Sequence, residues 1–146
     1  MEDLHPIHLF NTSGIEIPIS ESDAIFLLEA VSNHFEVDFE LVEVVYVDEA
    51  EIKRINNEYL SHDYVTDIIT FRLDEQQSDS DIEGTIYCCA QRIAEQAKEF
   101  DQKSKTEFQR VLVHGLIHLN GYDDQTPEEK QEMTRLENHF LGLMDL

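Results

Sequence analysis

The sequence predicts an α+β fold, a small mixed sheet of about four strands packed with about five helices. Three observations carry this. Short β-rich runs and helical runs interleave through the first two thirds of the chain. Capping signals then mark a succession of helices towards the end, with no strand among them. The longest apolar stretch of that end, around Val111–Leu119, is apolar nearly all round and lies between a capping signal and the stop at Gly121, as in a buried helix. A length of 146 residues, 41% of them hydrophobic, fits one domain over 1–146 with a core of its own.

The elements follow in order. "IHLFNTS" and "IEIPI" read as a short strand and a turn. "SESDAIFLLEAVSNHF" reads as a helix capped by Ser20, with Ile25, Leu28, Val31 and Phe35 recurring on one side. "FELVEVVYV" is a strand. Asp48 and Glu51 give the next helix a start, and Ile52, Ile55 and Tyr59 an inner face. "LSHDYVT" breaks the pattern as a loop in which His62 and Asp63 serve a turn or support a site. "DIITFRL" and "GTIYCCA" are two short strands joined by the polar, mobile connection "DEQQSDSDIE". Cys88 and Cys89, the two cysteines, are adjacent, so a strand would bury them on opposite faces rather than pair them. "QRIAEQAKEF" is a short helix, and Ser104 with Glu107 reads as a capping box opening the next. Gly121 stops that helix. Thr126, Pro127 and Glu129 start the last, whose core face is Met133, Leu136, Phe140 and Leu143.

The formal charge is −22, from 32 acids and 10 Lys or Arg. Such acidity favours solubility and argues against nonspecific nucleic-acid binding. The first fixed positive charge is Lys53, and six of the ten lie between Arg72 and Arg110. A polyanion would therefore have to approach through that middle segment. No stretch reaches the roughly 20 apolar residues of a membrane helix. With no leader pattern at Met1 and no usable cysteine pair, a reducing cytoplasm is expected.

The chemistry concentrates in "HGLIHLNGYDD", His114 to Asp124. Residues four apart share a helix face, so His114 and His118 can converge on one cation. A chain break at Gly121 would let Asp123 or Asp124 fold back as a third ligand. Three ligands with an open position is the pattern of a catalytic metal, and this donor set suits zinc, nickel, manganese or iron. Apolar neighbours bury the helix, and buried imidazoles need a polar partner that a metal would supply. A protease of the H-E-x-x-H type carries its general base at the second position, where this chain has Gly115, so peptide hydrolysis by that route is disfavoured. Gly115 either admits another backbone or a substrate, or simply permits packing.

The sequence resembles the YbeY family of bacterial endoribonucleases. Its signature H-G-x-x-H-L-x-G-Y-D-H is matched by His114, Gly115, His118, Leu119, Gly121, Tyr122 and Asp123. A second block, N-x-x-Y-R-x-x-D-x-P-T-D-V-L-S-F, is matched by Asn56, Tyr59, Asp63, Thr66, Asp67 and Phe71, and Met133 meets a family methionine. The likeness spans about residues 40–142. It implies a zinc-like metal in a cleft beside the sheet on a zincin-like helix. It also implies cleavage of single-stranded RNA, maturation of small-subunit ribosomal RNA and ribosome quality control. Ribosomal components and a ribosome-associated GTPase would be partners; DNA and membranes would not. Three positions depart from the pattern. Asp124 replaces the third histidine, Leu60 the arginine that serves the phosphate, and Val65 a proline. The expected ligands are His114, His118 and Asp124. Asp124 lies six residues past His118, which leaves room for the helix to end and the chain to turn back. The carboxylate would favour a harder cation than an all-histidine site.

His114 is also the expected catalytic residue. The charge developing at a phosphodiester needs a cation as well. Arg92, at the start of its helix, is the expected catalytic arginine, and Arg72, Arg92 and Lys98 the expected substrate contacts. The alternative is a ribosome-assembly binding factor whose metal is structural or weakly active.

Overall fold

The computed structural model describes residues 5–74 and 80–144. Four strands and five helices follow the order β1 (Ile7–Asn11), α1 (Glu21–Phe35), β2 (Phe39–Val47), α2 (Glu49–Leu60), β3 (Ile68–Arg72), β4 (Ile82–Cys89), α3 (Ala90–Glu99), α4 (Ser104–Leu119) and α5 (Pro127–Met144). The sheet order is β1-β2-β4-β3. β1, β2 and β4 are parallel, and β3 runs antiparallel to β4 along one edge. The α+β reading therefore holds, and the sheet is mixed.

Alternation along the strands makes two cores. Val42, Val44 and Tyr46 of β2 join Ile82, Ile86 and Cys88 of β4 in the larger one, with α1, α4 and α5. Val47 and Cys89 face the other way, against Ile52 and Ile55 of α2. Cys88 and Cys89 are both free and fully buried, one in each core. The period of two in a strand is the reason neighbours separate in this way.

Most local signals act as expected. The Ser20 hydroxyl accepts from the Asp23 amide while the Asp23 carboxylate accepts from the Ser20 amide, closing a capping box. Asp48 accepts from the Glu51 amide at 2.9 Å. Thr126 and Glu129 cap α5 reciprocally. Gly121 takes φ +90° directly after the Asn120 cap, where a side chain would be strained.

Two expectations are corrected. Ser104 is the first residue of α4 rather than its cap, and Glu107 is buried instead of reaching back to the helix start. Tyr59 is 62% exposed, its ring packed edge-on over Phe71. The polar residue Asn56 takes the inner position, its amide donating to the Tyr64 carbonyl at 3.1 Å. The connection "DEQQSDSDIE" falls in part on residues 75–79, outside the described residues.

α4 is the central helix. Ten of its 16 residues are buried, and it lies against the sheet through two glycines. A Cβ on Gly115 would stand 2.9 Å from Ile68 Cδ1 and 3.1 Å from Ile86 Cδ1. A Cβ on Gly84 of β4 would meet Leu119 side-chain carbons at 2.7 and 2.9 Å. Gly115 thus serves packing: it faces the sheet and lets the helix sit close to it.

Candidate metal centre

The histidines lie on the face of α4 beside Gly115, next to Ile68 of the β3 edge. The His114 and His118 Nε2 atoms approach to 2.9 Å. The break at Gly121 brings Asp124 back over them, with Oδ2 at 3.3 Å from His114 Nε2 and 3.6 Å from His118 Nε2. One donor atom from each of the three residues lies within 4.8 Å of the others. Asp123, its neighbour, is exposed and does not join them.

The remaining ring nitrogens decide what the cluster accepts. His118 Nδ1 lies 2.7 Å from the Tyr122 carbonyl oxygen, which has no proton to give. Nδ1 must therefore be the N–H, leaving a lone pair on Nε2 when the ring is neutral. His114 Nδ1 stands 2.7 Å from Glu137 Oε2 on α5, and the same reasoning leaves its Nε2 a lone pair. Arg110 donates to Glu137 Oε1 at 3.0 Å and to Asn138 Oδ1 at 2.8 Å, fixing the carboxylate that fixes the ring. Two imidazole lone pairs and a carboxylate oxygen then point at one small volume. Such a volume holds a positive charge, a shared proton or a metal ion, and nitrogen with carboxylate donors suits a divalent transition metal. Burial opposes charge on His114, but the hydrogen bond and charge of Glu137, with Asp124 and Asp67, outweigh it and raise its pKa above the ordinary 6.5.

The cluster opens into a cleft of about 490 Å³, walled by the β3 edge (Ile68, Thr70), Asp67, Tyr64 and Leu60. Leu60, where the family pattern has an arginine, is 44% exposed on this wall. A smaller cavity of about 250 Å³ adjoins on the other side of His114. A separate hollow of about 430 Å³ between α1 and α5 contains His34 and His139, but no metal-ligand cluster lies there among the described residues.

The expected cations stand elsewhere. Arg72 forms a two-pronged pair with Asp74 at 2.8 and 3.0 Å and donates to the Leu119 carbonyl, steadying the end of α4. Arg92 pairs with Glu95 and Glu99 on α3 instead of reaching the cleft wall. Lys98 is exposed on α3. Sequence reasoning missed Glu137 and Arg110. The available signal was an acid at a core position of α5, between Leu136 and Phe140.

Fold and site together define a class: an α+β domain whose central helix, with the turn after it, presents two histidines and a carboxylate to an open cleft. The model of the family described as endoribonuclease YbeY matches residues 12–145. A protein named endoribonuclease YbeY from Chlorobium limicola is 37% identical over 139 residues, covering 94% of this chain and 92% of the relative. The protein of that name from Chlorobaculum parvum is 34% identical, covering 93% of each chain. The solution structure of TM1509 from Thermotoga maritima superposes with a TM-score of 0.65 at 29% identity, covering 92% of this chain and 86% of that one. The chain belongs to the endoribonuclease YbeY family.

Proposed function

We propose that this protein is a metal-dependent endoribonuclease that cuts single-stranded RNA, acting in small-subunit ribosomal RNA maturation and ribosome quality control. The observation that carries the metal is the convergence of two Nε2 lone pairs and Asp124 Oδ2, with both Nδ1 atoms already committed. Zinc is the first candidate and nickel or another divalent transition metal the next. When bound, the metal supplies Lewis-acid chemistry that activates water or a ribose hydroxyl towards a phosphodiester. His114, His118 and Asp124 hold it. Glu137 and the Tyr122 carbonyl keep the imidazoles in the tautomer that presents Nε2, and Arg110 holds Glu137 in place. The cleft beside the β3 edge seats the strand. Arg92 and Lys98, together on α3, are the proposed backbone contacts. Ribosomal components are the proposed partners and the cytoplasm the proposed location.

A second reading draws on Leu60. With no arginine lining the cleft among the described residues, a ribosome-assembly binding factor with a structural or weakly active metal is the alternative. Purified protein of known metal content should cut a labelled RNA hairpin in its loop, and both chelator and His118→Ala should abolish the cut. Folded, metal-loaded protein that binds the hairpin and leaves it intact would establish the alternative instead.

A further inference from the structure

The cavity behind His114 contains a group the metal site does not use. Glu107 is 3% exposed and lines this cavity; its backbone amide donates to the Lys103 carbonyl, but its carboxylate has no hydrogen-bond or ion-pair partner among the described residues. A buried carboxylate without partners is costly unless something supplies donors to it. Burial, then the nearby acids Asp67 and Glu137, push its pKa up against the opposing pull of Arg110, as expected of a carboxylate short of donors. Glu107 and Arg110 are three residues apart and His114 seven beyond Glu107, so all three lie on one stripe of α4. The rise of a helix puts Glu107 roughly 10 Å from His114 along the axis, a distance one nucleotide spans from base edge to phosphate. Phe100, 60% exposed at the end of α3, forms another wall. Arg110 has spent two guanidinium donors on Glu137 and Asn138, and it lines the cavity with donors to spare.

We propose that this cavity receives one base of the RNA substrate and selects guanine. Phe100 stacks on the base, the Glu107 carboxylate accepts from its N1–H and N2 amino group, and Arg110 donates to O6. The inference rests on the endoribonuclease reading above. Guanine is the base whose pairing edge offers two adjacent donors beside an acceptor. Adenine and cytosine offer one amino donor beside an acceptor, and uracil a single N–H between two acceptors. Each would leave part of the Glu107 carboxylate unmet. A second metal fits less well. Arg110 stands in the same cavity, Asp67 already accepts from the Gln96 amide at 3.2 Å, and no ligand cluster beyond His114, His118 and Asp124 occurs among the described residues.

The test is binding of the four nucleoside 5′-monophosphates to metal-loaded protein by calorimetry, with cleavage of uridine oligonucleotides containing one guanosine, adenosine or cytidine. Guanosine monophosphate should bind at least about tenfold tighter than the others, from charge-assisted hydrogen bonds. Glu107→Gln should remove most of that margin. Phe100→Ala, at an exposed site, should weaken all four by roughly tenfold without altering the melting temperature. Cuts should cluster beside guanosine. Equal affinity for the four nucleotides, discrimination surviving Glu107→Gln, or cleavage without base preference would overturn the proposal. Folded protein that discriminates guanosine monophosphate yet leaves every RNA intact would support the pocket and refute the nuclease reading.

Discussion

Asp123 and Asp124 are chemically identical neighbours with different surroundings. Only Asp124 turns over the imidazoles. Asp124→Ala should therefore lower metal affinity by more than about 100-fold, beyond the usual effect of removing an outer partner, while Asp123→Ala changes it little. Competition against a chelating dye measures both, and equal losses would remove Asp124 from the ligand set. The histidines were legible because their spacing of four is a local fact about a helix. Asp124 was legible because Gly121 announces where the chain turns. Glu137 was not, because its partner His114 is 23 positions away and no spacing rule spans a packed helix pair. Its one trace, an acid where α5 should be apolar, reads equally well as a surface residue until α5 is docked. The expected roles of Arg72 and Arg92 rested on charge alone, and charge does not say which carboxylate a guanidinium will find.

The close seat of α4 on the sheet is a matter of two missing side chains. Gly115→Ala would press on the ends of two isoleucine side chains, which can give by a few tenths of an ångström. It should cost on the order of 1–2 kcal/mol. Gly84→Ala meets Leu119 more closely and has the Phe71 carbonyl at 3.1 Å, so the cost should be larger, about 2–3 kcal/mol. Urea unfolding measures both, and a harmless Gly84→Ala would mean that the helix stands further off. The β3–β4 pair is closed by a different device. Asp74 holds Arg72 and also accepts from the Glu83 amide, and the Arg72 hydrogen bond, with that amide, lowers its pKa to about 2. A depressed carboxylate contributes stability above its unfolded value of 3.8 and loses it as pH falls through the folded value. Asp74→Asn should therefore lower the melting temperature by a constant margin between pH 7 and 4, a margin that vanishes towards pH 2. A margin already gone by pH 4 would contradict the pairing. At this scale the strands and caps were readable from alternation and cap chemistry. Tyr59 was misjudged because it shares the face of Ile52 but lies at the end of α2, over Phe71 of the edge strand, and Ser104 because a cap and a first helical residue differ by one position.

Across the molecule, 32 acids outnumber 10 Lys and Arg, and most of the cations are already answered. Arg72 pairs with Asp74, Arg92 with Glu95 and Glu99, and Arg110 with Glu137; Lys105 stands 3.9 Å from Asp23. The positive segment visible in the sequence thus survives folding mainly as Lys98 and Lys103, for which no acid lies within ion-pair distance among the described residues. This bears directly on RNA association. Each phosphate contact on a single strand contributes about −0.7 to the slope of log K against log salt. Two uncompensated lysines should give a slope no steeper than about −1.5. Long-range repulsion by the surplus acids flattens it further towards low salt, as the screening length grows beyond the roughly 10 Å of 0.1 M. Changing Arg92 and Lys98 together to alanine should weaken RNA association and bring the slope to about −0.7, the share of Lys103 alone. The same change at Lys53 and Arg54, whose charges already meet Asp63, Glu51 and Glu58, should leave it nearly unaltered. Filter binding of an uncleaved hairpin from 50 to 400 mM salt, in chelator, makes the comparison. A slope of −4 or steeper in the unaltered protein would mean that RNA displaces these carboxylates and recruits the paired arginines, and equal effects of the two double substitutions would remove the polarity altogether.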